Sequence, residues 1–110
     1  MRRRGPILSA VRLNVNIASS ALLFEHYNRC RSIHLVVTGG PISGTFKLQI
    51  SNDVTDDVDQ VASWSDLADS SQAIVAVGQI FYNLKDQAEK WVRVVYTSTS
   101  GDGYVTGNYY

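Results

Sequence analysis

An all-β fold, an antiparallel β-sandwich of about eight strands and jelly-roll-like, is predicted for this 110-residue chain by three observations. Apolar and polar residues alternate at period two over much of the length, which places successive side chains on opposite faces of a strand. Turn-forming clusters of Gly, Pro, Asn and Asp separate the alternating runs at intervals of roughly 8–12 residues, the spacing of a sandwich or barrel. No stretch carries the 3.6-residue period of an amphipathic helix. The length fits one domain, which at this size buries roughly two-thirds of its unfolded surface. We set that domain at residues 7–110, preceded by a basic arm over residues 1–6.

The elements follow in order. Val11, Leu13, Val15 and Ile17 alternate with Arg12, Asn14 and Asn16, so Ile7 to Ile17 is expected as one long strand. Leu22 to Tyr27 forms a shorter one. Ser32 to Thr38 places Ile33, Leu35 and Val37 on one face. Gly39-Gly40-Pro41 and Ser43-Gly44 then break the chain. Thr45 to Ser51 turns Phe46, Leu48 and Ile50 inward and Lys47 and Gln49 outward, the pattern of a strand with one wet face. Asn52 and Asp53 end it, since both cap backbone groups and tolerate turns. Val61 to Trp64 is expected as a short edge strand and Ser65 to Ser71 as a loop. Ala73 to Val77 and Ile80 to Leu84 are two short apolar segments parted by Gly78-Gln79.

The last segment, Glu89 to Tyr110, is the strongest local signal. Trp91 to Thr99 is rich in β-branched and aromatic residues, and Asp102-Gly103 tolerates the positive φ that a tight hairpin demands. A hairpin ending at Tyr109 and Tyr110 is therefore expected, with its terminus packed. Val92, Val94 and Tyr96 share one strand face, and Trp91, Arg93, Val95 and Thr97 the other. A small sandwich core covers only one of them. The other must meet a loop, a ligand or a second subunit, and we assign it to a second subunit.

Formal net charge is zero but segregated. Residues 1–31 hold six arginines and one acid, whereas residues 32–110 hold four bases and nine acids. The arm Arg2, Arg3 and Arg4 either stays solvated or docks on an acidic surface of a neighbouring copy. Three arginines are a small footprint for phosphate binding, which argues against nucleic acid. No apolar run reaches the ~20 residues of a membrane-spanning helix, so no membrane span is expected. The polar residues that interrupt the first apolar stretch argue against a secretory signal. The single cysteine, Cys30, permits no intrachain disulfide and reads as a structural thiol.

Tests for chemistry find little. Asp53, Asp56, Asp57 and Asp59 offer hard oxygens of the kind calcium prefers. Their spacing lacks the central glycine and terminal glutamate of an EF-hand, and a solvated acidic loop beside a sheet edge is the reading adopted, with no metal and no cofactor. Gly39 to Gly44 is glycine-rich without the Gly-Lys-Ser/Thr ending of a phosphate loop. His26 and His34 fall short of a zinc set. The chain is expected not to be an enzyme. Stiff aromatics with a polar tip suit interfaces. Partner contacts are therefore assigned to Arg2, Arg3, Arg4, Trp91, Arg93, Tyr104, Tyr109 and Tyr110. The alternative is a glycan-binding, discoidin-like module, with the loops Pro41 to Gly44 and Val61 to Ser71 forming a shallow site around Trp64.

Four motifs carry a resemblance. They are the run Gly44 to Asp53 (GTFKLQISND), Trp64-Ser65-Asp66, the strand Lys90 to Thr97 (KWVRVVYT), and the turn Ser100 to Gly103 (SGDG). Over residues 32–107 the chain resembles small bacteriophage-encoded β-sandwich proteins of the virion, jelly-roll-like in build. The resemblance implies a structural virion protein, such as a capsid decoration, cement, spike or tail component. Its partners would be other virion proteins and further copies of itself, with a surface glycan as the alternative. One departure is the lengthened acidic insert after Asn52-Asp53, where such proteins often have a short glycine turn.

Overall fold

The computed structural model describes residues 5–19, 21–23, 32–53, 57–84 and 91–109. Arg2, Arg3 and Arg4 of the arm, His26, Cys30, Asp56, Tyr110 and the end of the second expected strand lie outside them. Ten antiparallel strands are present among the described residues: β1 (Gly5–Arg12), β2 (Ile17–Ala18), β3 (Leu22–Leu23), β4 (Ser32–Thr38), β5 (Ile42–Ser51), β6 (Ser65–Asp66), β7 (Gln72–Ile74), β8 (Gly78–Asn83), β9 (Trp91–Gly101) and β10 (Tyr104–Tyr109). Sheet one has the order β1-β10-β4-β8. Sheet two has the order β2-β9-β5-β6, with β3 also on β9 and β7 also on β5.

Counting β2 with β3 and β6 with β7 as broken halves of single edge strands leaves eight strand positions, four per sheet. The chain enters and leaves sheet one repeatedly, and β10 inserts between β1 and β4. This is the strand order of a jelly roll, two Greek keys folded into two facing sheets.

The inner faces make one core. Ile33, Leu35 and Val37 of β4 face Phe46 and Leu48 of β5 and Val92, Val94 and Tyr96 of β9, all buried. Phe46 and Tyr96 are directly opposite in the β5–β9 ladder, with ring centroids 4.7 Å apart and planes tilted by 47°. The Tyr96 ring lies across Gly44, where any Cβ would overlap the hydroxyl end of the ring. Glycine in mid-strand is required here by that close approach.

Three expectations are corrected. First, Ile7 to Ile17 is not one strand: β1 belongs to sheet one, β2 to sheet two, and Leu13 to Asn16 crosses between them. The alternation continues through the crossing, but Leu13 is buried while Val15 is 57% exposed. Second, Asp102-Gly103 does not close a hairpin, because β9 and β10 lie in opposite sheets. A turn dipeptide fixes a chain reversal; which strand pairs with which is decided by the core. Third, the short edge strand falls at Ser65–Asp66, which was expected as loop, and not at Val61 to Trp64.

Candidate functional site

The four short crossings, Leu13–Asn16, Gly39–Pro41, Val75–Val77 and Gly101–Gly103, all lie at one end of the sandwich, as the ladder registers require. Backbone contacts tie three of them together. Leu13 N–H donates to the Gly103 carbonyl at 2.8 Å, and Asp102 N–H donates to the Pro41 carbonyl at 3.1 Å. Arg12 clamps the Asp102 carboxylate, its Nε reaching the two oxygens at 3.1 and 3.0 Å and its terminal nitrogen one of them at 2.6 Å. These bonds hold the Asp102 carboxyl below its ordinary range. Gly101, at φ +84°, is needed because a Cβ there would run into the Pro41 carbonyl. Gly40-Pro41 is a cis peptide.

The outward face of sheet two is closed upon itself. Arg93 donates from Nε and a terminal nitrogen to Gln49 Oε1 at 2.9 and 2.6 Å. Gln49 Nε2 donates to Asp66 Oδ1 at 3.1 Å, and Lys47 Nζ reaches Asp66 Oδ2 at 3.0 Å. The Arg93 guanidinium lies 4.2 Å from the centroid of the Trp64 ring, a cation–π contact. Partial burial lowers the Arg93 pKa, and the Gln49 and Lys47 bonds lower that of Asp66. Trp91, on the same face, is 3% exposed within the single chain. Its cover comes from this chain, which corrects the assignment of that side of Trp91 to a second subunit.

The outward face of sheet one has a different character. His34 and Phe81, directly opposite in the β4–β8 ladder, stack in parallel with centroids 4.0 Å apart and planes 5° apart. His34 Nε2 and Gln79 Oε1 are 2.8 Å apart on the same surface. Phe81 is 62% exposed. Val36, Thr38, Thr106 and Gln79 continue this patch without a charged group as far as the crossing end, where Arg12 lies opposite Tyr104.

The described residues expected to carry partner contacts, Trp91, Arg93, Tyr104 and Tyr109, therefore do not converge. Trp91 and Arg93 belong to sheet two. Tyr104 is exposed on sheet one at the crossing end, and Tyr109 packs against the core at the other end of β10. The two loops expected to frame a glycan site are also apart. Pro41 precedes the first residue of β5, whereas β6 pairs with Gln49 and Ile50 near its far end, about 25 Å along the strand. In the acidic segment Asp53 accepts the N–H groups of Ala62 and Ser63 at 2.7 and 3.0 Å, which lower its pKa, and Asp59 N–H donates to Asp57 Oδ1 at 3.0 Å. Among the described residues, no three His, Cys, Asp or Glu side chains come together as a metal site would need. No described helix is long and apolar enough to cross a membrane.

Sequence reasoning missed His34, Gln79 and Phe81. The signal was present: with Ile33, Leu35 and Val37 inward, His34 must point out. With Ile80 and Tyr82 inward, so must Phe81.

No protein-family model and no curated protein matches the chain. Among solved structures it is similar to the crystal structure of SPBc2 prophage-derived protein YomS, with a TM-score of 0.58 at 11% identity, over 97% of this chain and 92% of that one. At that identity the likeness establishes a shared fold.

Proposed function

We propose that this chain is a structural protein of a bacteriophage virion, a capsid decoration, cement, spike or tail component, and that it acts by self-assembly and protein–protein contact. The observation that carries the reading is the jelly-roll sandwich that it shares over nearly its whole length with a prophage-derived protein. The exposed patch around His34 and Phe81 on sheet one, which holds no charged side chain, supports it, since protein interfaces are depleted of charge at their centre and enriched in aromatics. Its place is then in the particle and its partners are other virion proteins and its own copies.

The test is mass spectrometry of particles purified from a lysate of cells that encode the chain. Peptides of the chain recovered at structural copy number are expected. Their absence from particles that contain the other structural proteins overturns the reading. The competing role, a glycan-binding module, is tested in parallel on a glycan array. Saturable binding there, with no chain in the particles, would replace the structural reading.

A further inference from the structure

A β-sandwich has four sheet edges, and a bare edge is a template for another strand. Natural edges are blunted by short strands, proline, bulges or charge. Three of the four edges here carry such devices. β1 contains Pro6 and ends in Arg12, and its register against β10 slips twice, between Pro6 and Leu8 and between Leu8 and Val11. Within it Ala10 has a positive φ of 48°. The β2/β3 edge is broken into two strands of two residues each. The β6/β7 edge is broken into strands of two and three, the first ending in Asp66.

The fourth edge, β8, carries none of these devices. Its sequence GQIFYN has no charge and no proline. All six of its residues keep unbroken register with β4, from Gly78 opposite Val37 to Asn83 opposite Ser32. No described strand pairs with its other side. In an antiparallel ladder the backbone groups of alternate residues point away from the neighbouring strand. Phe81 is one of these, because its carbonyl accepts the Gln72 side-chain amide at 3.2 Å from outside the ladder. A carbonyl has two lone pairs, so this contact leaves it able to accept a second bond.

We infer that β8 is a docking edge for β8 of a second copy of this chain, paired antiparallel about a two-fold axis to make one continuous eight-stranded sheet. A two-fold antiparallel pair sets the residues near its axis against their own copies, and like charges so placed repel. A neutral strand is thus suited to pair with itself, and among the described edge strands longer than three residues β8 alone is neutral throughout. The exposed Phe81 rings of the two copies would shield each other on the outward face. This inference rests on the self-assembling role proposed above and names its contact.

The test is sedimentation equilibrium of the full chain and of Phe81→Lys, with amide hydrogen exchange at Phe81. The unaltered chain is expected to associate. The lysine variant should associate at least ~10-fold more weakly, as loss of a central aromatic anchor does, with its circular dichroism and melting temperature unchanged. Exchange at the Phe81 amide of the unaltered chain should slow as concentration rises. Association untouched by Phe81→Lys, or Phe81 exchange independent of concentration while the chain associates, overturns the edge pairing and leaves self-assembly standing. A chain still monomeric at about 100 µM, well above the Kd of a modest interface, overturns both. Should the variant misfold, the exchange measurement on the unaltered chain decides alone.

Discussion

The two outward faces of the sandwich are built on the same alternation and finished in opposite ways. On sheet two the long polar side chains of Lys47, Gln49, Asp66 and Arg93 bond to one another, and Trp64 lies against the guanidinium. On sheet one Phe81 stands open to solvent, stacked on the half-buried His34. The first face contributes to the stability of the monomer. The second holds one ring stack and one side-chain contact and leaves Phe81 exposed. Aromatic content alone would not separate them, since each holds a large ring.

The largest expected effect removes what both faces share. Gly44→Ala would force the Tyr96 ring off the strand it crosses, and with it the Tyr96 hydroxyl that donates to the Ser43 carbonyl at 3.3 Å. A loss of about 3 kcal/mol is expected from overpacking at this site, read as a lowered midpoint in urea unfolding. A midpoint within experimental scatter of the unaltered chain would mean that the ring has room to move.

The comparison itself is tested by one truncation on each face. Arg93→Ala removes two hydrogen bonds and the contact with Trp64, and should cost roughly 1–2 kcal/mol. Phe81→Ser, on the open face, should stay within about 0.5 kcal/mol of the unaltered monomer. Calorimetric melting below the association range would show this, and equal losses at the two positions would erase the distinction.

The smallest effect is in acid. The Asp66 carboxyl is held below its ordinary range by Gln49 first and then by Lys47. Its contribution is therefore complete above about pH 4, where the unfolded carboxyl is ionised, and is lost as the pH falls through the lower folded value. Asp66→Asn should make the melting temperature fall less steeply below about pH 4. An unchanged slope would assign acid sensitivity to Asp53 and Asp102, whose carboxyls are held down elsewhere.

Much of this fold is legible in the sequence, because alternation writes both the strand and its faces. β4 runs from Ser32 to Thr38 with Ile33, Leu35 and Val37 inward, as read from the residues alone, and β9 turns Val92, Val94 and Tyr96 inward in the same way. Partnership was not legible. Asp102-Gly103 looks like a hairpin turn, yet it crosses between the sheets, held by Arg12 and Pro41 from distant parts of the chain. The cover over Arg93 was hidden for the same reason, since nothing local to Trp64 or Arg93 announces the other. That Phe81 and His34 both point outward was within reach of simple parity, and that they stack on each other was not.

The position of β10 has a consequence for how the molecule forms. β10 lies between β1 and β4 in sheet one, so β1 has no ladder partner there until β10 arrives. During synthesis β1 emerges first and waits, its apolar Ile7 and Leu8 unburied, until the ribosome has passed Tyr109. Closure then depends on contacts between the two most distant strands, and such topologies fold on the order of milliseconds to seconds. A chaperone that holds the emerging β1 would act in that interval.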